Sequence, residues 1–207
     1  MNILSEVCSD VTNVLGLEAA VRREHSAQAK TEQTKLCTSH RQLRAQVFDG
    51  KASFAHFRVL ALCTAGRTKG NFVVETTALI EHINYYVSII RRHLREGYHI
   101  KRFRIELLPF TSETLRISEA EVTRAISDDS EGIDIAIDRS LAPENGYFEH
   151  MRFKMFASDE SGNEYNIVDG GFTTWTQELL NNKKEFLLTS GLGTERMVYC
   201  FGAEAGK

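Results

Sequence analysis

The chain has 207 residues, 42% of them hydrophobic, enough for one sizeable core. Its net charge of −3 leaves no global basic footprint for nucleic acid or a membrane surface, and no apolar run approaches membrane-spanning length. The start, Met1-Asn2-Ile3-Leu4, lacks a positive-then-apolar leader, and Cys8, Cys37, Cys63 and Cys200 are scattered without a Cys-x-x-Cys spacing. The expectation is a reduced, cytoplasmic protein without a membrane partner, a disulfide framework or a cysteine metal site.

In chain order, Ile3, Leu4, Val7, Val11, Val14, Leu15 and Leu17 have helical spacing, with a cap or kink expected at Gly16. Residues 25–40 are polar and aperiodic and read as a loop. Leu43–Phe48 and Phe54–Cys63 read as a hairpin across Asp49-Gly50. Residues 72–96 carry one broad apolar face, with Arg91, Arg92, His93 and Arg95 near the end and Gly97 as the stop. Lys101–Leu108 alternates as a strand with one wet face. A short polar helix is expected over residues 118–129, and strands over Gly132–Asp138, Gly146–Phe156 and Tyr165–Val168, the last two joined by a polar turn. A helix over Thr173–Leu180 and a strand over Phe186–Thr189 complete the chain up to its last motif. The sum is an α+β fold, a mostly antiparallel sheet flanked by helices. Residues 1–39 form an N-terminal helix and polar segment and residues 40–207 the core, with no linker separating two domains.

Three segments carry chemistry. In Leu188-Thr-Ser-Gly-Leu-Gly-Thr-Glu-Arg-Met197 a strand meets two glycines and then an acid–arginine pair opening a helix. The glycines permit a tight turn, the helix start offers N–H groups to an anion, and Arg196 can reach a phosphate or lie on a purine. A strand–helix corner with a surface arginine is the plain alternative. Upstream, Leu43-Arg44-Ala45-Gln46 is followed by a return strand beginning Phe54-Ala55-His56-Phe57. An amphipathic hairpin with an exposed arginine is the plain alternative there. The third segment is Gly146-Tyr147-Phe148 followed by Asp169-Gly170-Gly171-Phe172.

The last of these motifs resembles the Gly-x-Gly-x-Glu-Arg motif three of class II aminoacyl-tRNA synthetases, and the Arg44 hairpin resembles their motif two. The third segment resembles the histidyl-tRNA synthetase branch, and the three stand in the family's order over about residues 40–202. The resemblance implies ATP with Mg²⁺, bound by Arg44, Gln46, Phe54, His56, Glu195 and Arg196. Arg44 would meet the α-phosphate, and Phe54 and Arg196 would sandwich adenine. Tyr147, Phe148, Asp169, Gly170 and Gly171 would line an amino-acid pocket, Asp169 meeting an ammonium and the glycines admitting ligand to the backbone; a plain turn residue before Gly-Gly is the alternative for Asp169.

Gln46 stands where the family has Glu, and Phe172-Thr173-Thr174 where the branch has Arg-Tyr-Asp. Pro143 falls where the branch has its catalytic arginine, with Arg139 four residues away, so histidine is not the expected ligand. Motif one has no counterpart in residues 1–39, and no anticodon-binding domain is expected after Arg196. Two functions follow from the resemblance. One is ATP-dependent activation of an amino acid or similar small carboxylate, with transfer to tRNA or a carrier-protein acceptor. The other is a catalytically inactive paralogue acting as a regulatory or binding subunit, in a homodimer or a regulatory hetero-oligomer.

Overall fold

The computed structural model describes residues 8–44, 54–127, 132–143 and 146–202. Seven strands form one sheet: β1 (Thr34–Leu43), β2 (His56–Arg67), β3 (Arg102–Pro109), β4 (Ile133–Ile137), β5 (Glu149–Ser158), β6 (Glu164–Thr173) and β7 (Glu185–Gly193). Their spatial order is β1-β2-β7-β6-β5-β3-β4. Every pairing is antiparallel except β3–β4, which needs a crossover connection. A helical segment supplies it: α3 (Ser112–Ile117), a π-helical turn (Ser118–Val122) and α4 (Thr123–Ser127). The expected α+β architecture is the one observed. No helix among the described residues is long and apolar enough to cross a membrane.

The two faces of the sheet are covered differently. Helix α2 (Val73–Arg95) buries Leu79, Ile83, Tyr86, Val87 and Ile90 against the main core, with Phe153, Met155 and Leu188 among its partners. Each such side chain contributes about 1.5–3 kcal/mol on burial. On the other face, β2 alternation presents Val59, Ala61, Cys63 and Ala65, with Leu187 of β7, to Val11, Leu15 and Ala19 of α1 (Val11–His25). The small residues of β2 let α1 lie close, and burial pushes the Cys63 thiol pKa up to about 12. Helices α5 (Trp175–Leu179) and α6 (Thr194–Phe201) flank β7 in sequence.

Several elements differ from expectation. Residues 34–43 form the edge strand β1, although a loop was expected as far as residue 40: Lys35, Ser39 and Arg41 are exposed along it, and its apolar Leu36, Cys37 and Leu43 keep no common period. The strand therefore ends at Leu43, and residues 45–53, with the Asp49-Gly50 turn, lie outside the described residues. Gly16 does not cap α1; it sits mid-helix, where a Cβ would come within 3.2 Å of Leu187 and Trp175. The helix expected at Ser118 begins six residues earlier, because Thr111 and Thr114 form a reciprocal capping box. Ser118 instead bonds back to the Thr114 carbonyl at 2.8 Å, inside the helix.

Candidate functional site

A cleft of about 480 Å³ opens on the α1 side of the sheet, beyond the start of α1. Its floor is built from the first residues of β2, the first half of β6 and the last residues of β7. Antiparallel registers bring these stretches together: Val59 pairs Gly193, Ala61 pairs Gly191, and Gly191 pairs Asp169. At Gly191 an added Cβ would meet Val59 Cγ1 at 2.7 Å, so the glycine lets β2 and its side chains close over β7. Gly191 and Gly193 therefore do not make a tight turn. Both lie in the extended strand β7, and Gly193 (φ −77°) hands the chain directly to α6.

Arg44 and Arg196, far apart in sequence, line this one cleft, together with Phe54. Arg44 follows the last residue of β1; its backbone N–H donates to the Ala55 carbonyl at 2.9 Å, and its guanidinium lies over the Phe57 ring at 5.3 Å. Arg196 falls in the first turn of α6 and donates through Nη1 to the Asn166 carbonyl at 2.6 Å, which ties α6 to β6. Phe54 stands edge-on to Tyr199 with ring centroids 5.4 Å apart. Tyr147, Phe148 and Asp169 also line the cleft. Tyr147 meets Phe148 at 4.7 Å and Trp175 at 5.6 Å, both edge to face, and burial raises its hydroxyl pKa.

Other expected residues stand elsewhere. His56 is exposed and alternates away from Phe57, so it is not part of the cleft wall. Glu195 does not line the cleft. Its carboxylate accepts from the Arg58 backbone N–H and from Thr194 Oγ1, which anchors the start of α6 to β2. A Cβ at Gly170 would strike Ser190 and Phe153, and one at Gly171 would strike the Phe148 ring, so both serve internal packing. Gln46 lies outside the described residues. Arg139 pairs with exposed Glu119 and is not a cleft residue.

Arg152 is the main residue that sequence reasoning missed. It grips Asp169 bidentately, Nε to Oδ1 at 2.9 Å and Nη2 to Oδ2 at 2.6 Å, and lies over the Phe148 ring at 5.2 Å. The expected encounter of Asp169 with a substrate ammonium is thereby altered, since its carboxylate already meets a guanidinium. Alternation on β5 was the available signal: Met151, Phe153, Met155 and Ala157 are buried, and Arg152 falls between them on the opposite face. Gln42, Phe57, Asn166, Thr189 and Asp10 were missed as well.

Three arginines and two aspartates line the cleft, so its side chains favour an anion. Both aspartates are engaged, Asp169 by Arg152 and Asp10 as the α1 cap, accepting from the Thr12 backbone at 2.9 Å. No group of three His, Cys, Asp or Glu side chains converges as a metal cage among the described residues. The excess of guanidinium groups over carboxylates suits an anionic ligand.

No protein-family model and no curated protein sequence matches the chain. Solved structures do match in fold. Apo histidyl-tRNA synthetase of S. aureus is 14% identical with a TM-score of 0.57, over 89% of this chain and 48% of that one. The RNA-binding domain of threonyl-tRNA synthetase from Cryptosporidium parvum is 10% identical with a TM-score of 0.59, over 87% and 47%. An ATP phosphoribosyltransferase regulatory subunit/histidyl-tRNA synthetase from Bacillus halodurans is 11% identical with a TM-score of 0.62, over 92% and 63%. The chain therefore has a class II aminoacyl-tRNA synthetase-like fold and spans about half the length of the synthetase chains it matches.

Proposed function

We propose that the cleft binds ATP beside an amino acid or similar small carboxylate and activates that carboxylate as its adenylate, for transfer to tRNA or a carrier-protein acceptor. One observation carries the reading: Arg44 and Arg196, the two guanidinium groups that the motifs single out, line a single cavity with aromatic side chains between β2 and β7. The carboxylate oxygen attacks the α-phosphorus and forms a new P–O bond. The bond to the bridging oxygen breaks, and pyrophosphate leaves with its electron pair. Negative charge spreads over the phosphoryl oxygens as this happens, and a fixed guanidinium fork beside them lowers the barrier. Phe54 and Phe57 offer apolar ring surface to a purine. Positioning and charge neutralisation are the protein's share, with no covalent participation.

A second reading is a nucleotide- or carboxylate-binding regulatory subunit that has no activation chemistry. It is favoured by the Arg152–Asp169 pair, which occupies the acid that would meet an ammonium, and by the engagement of both cleft aspartates. Amino-acid-dependent exchange of labelled pyrophosphate into ATP separates the two. Exchange supports activation. Thermal stabilisation by ATP without exchange supports the binding subunit. In either case Arg196→Ala should weaken nucleotide binding about 10- to 100-fold, the worth of charge-assisted hydrogen bonds of roughly 1.5–3 kcal/mol. No stabilisation by ATP of the folded protein, with no exchange, overturns both.

A further inference from the structure

A second cavity, of about 310 Å³, lies at the start of α2, where β6 ends and β7 begins. It shares no lining residue with the arginine cleft and sits at the opposite end of β7. Phe72, Phe172 and Phe186 give it aromatic walls, Phe172 and Phe186 meeting edge to face at 6.3 Å.

Two polar side chains in this wall are incompletely satisfied. Glu75 is 5% exposed and its Oε2 has no hydrogen-bond partner; Thr173 is 3% exposed and its Oγ1 has none. A buried carboxylate oxygen without a donor is costly, and so is a buried hydroxyl without a partner. Glu185 also borders the cavity, but Arg23 and Arg67 already neutralise it. Glu113 and Lys183, both exposed, add charges of opposite sign at the rim.

The backbone here is held in an unusual shape. Five non-glycine residues of the described chain have positive φ, and three of them, Asn71, Phe72 and His150, line this cavity. Phenylalanine rarely adopts that conformation. The His150 ring packs edge-on to Phe72 at 5.1 Å, which holds the two strained positions together. Such strain persists where the surroundings fix it, and it concentrates at binding sites.

We propose that this cavity binds a small organic ammonium, with Glu75 and Thr173 accepting its N–H groups and the phenylalanine rings facing its cationic end. A carboxylate and aromatic faces both attract a desolvated ammonium. Among the described residues no three His, Cys, Asp or Glu side chains converge here as a metal cage.

The probes are benzylammonium and methylammonium chloride, with benzyl alcohol as the neutral control, titrated into the full chain by calorimetry and thermal shift. The expected result is saturable binding of the ammonium probes and none of the alcohol. Glu75→Gln should weaken that binding at least about tenfold, and Thr173→Val by a few-fold, in line with charged and neutral hydrogen bonds. Arg196→Ala should leave it unchanged, so that failure of the arginine cleft and failure of this site are separable. Absence of saturable ammonium binding, or equal affinity in wild type and Glu75→Gln, overturns the proposal and leaves Glu75 as a buried acid of the first α2 turn. Should Glu75→Gln not fold, undiminished binding in Thr173→Val overturns it instead.

Discussion

Arginines gather at both ends of β7, and the two groups are held differently. At its start Arg23 is 3% exposed, with Nε on Glu185 Oε2 at 2.5 Å, Nη1 on the Glu32 carbonyl at 3.0 Å and Nη2 on the Ala29 carbonyl at 2.5 Å. Arg67 joins the same carboxylate at 2.9 Å. This clamp pins α1 and the turn after it onto β7, and each nitrogen of Arg23 has an acceptor within the protein. At the far end Arg44, Arg152 and Arg196 line a cavity. Arg44 lies over a phenylalanine ring and forms no ion pair among the described residues. Arg23, enclosed by carbonyls and a carboxylate, holds the fold together, whereas Arg44, on a cleft wall beside an aromatic ring, is the guanidinium the proposed anion site would use.

Breaking the clamp should give the largest effect. Glu185→Ala leaves Arg23 buried without its counter-charge, and removing one partner of such a pair costs about 3–5 kcal/mol. Urea unfolding followed by circular dichroism measures it as a lower midpoint with an unchanged slope. A loss below about 1 kcal/mol, the value of an exposed pair, would erase the distinction between the two groups.

The α2 side of β7 yields a second, smaller effect. His82 is 3% exposed and bridges Thr64 Oγ1 at 2.9 Å and Ser190 Oγ at 2.8 Å, while Tyr86 reaches the same Ser190 at 3.1 Å. Burial, aided by the positive charge of Lys35, lowers the His82 pKa from 6.5 to about 3. Between those values the unfolded chain binds a proton that the folded chain does not. Stability from this group is therefore complete above pH 6.5 and falls as the pH drops toward 3. From pH 6.5 to 5 the loss should be about 1.6 kcal/mol, the slope nearing about 1.4 kcal/mol per pH unit at the acid end. Unfolding titrations of wild type and His82→Gln isolate it, since the variant should lose less stability over that interval. Parallel losses would mean that His82 is not held neutral.

The arginine cleft was more legible in the sequence than the clamp or the polar network beneath the sheet. Arg44, Phe54 and Arg196 sit where strands end and a helix begins, positions marked by glycines and alternation, and all three line the cleft. Arg152 keeps the alternation of β5, but its partner Asp169 lies on β6, and alternation assigns a face without naming the residue met there. Glu195 and Gly170-Gly171 looked like ligand contacts, yet they anchor α6 and admit neighbouring side chains. A motif marks where the backbone is constrained without saying whether ligand or protein imposes the constraint. β1 was read as a loop because an exposed edge strand can be polar along its length. The His82 and Glu185 contacts span 108 and 162 residues, so no local pattern could reveal them.

The smallest expected effect on stability is also the most discriminating for the cleft. Arg44 is exposed and follows the last residue of β1, and its one described side-chain contact is the Phe57 ring at 5.3 Å. Arg44→Ala should therefore change unfolding stability by no more than about 0.5–1 kcal/mol, the range of an exposed cation–π contact. If the cleft binds nucleotide as proposed, the same variant should lose most of the ATP-induced rise in melting temperature, because the missing fork no longer neutralises phosphate charge. A binding defect without a folding defect is what separates a wall residue from a clamp residue. A large loss of stability in Arg44→Ala, or an undiminished ATP response, would show that the exposed guanidinium is not a ligand contact.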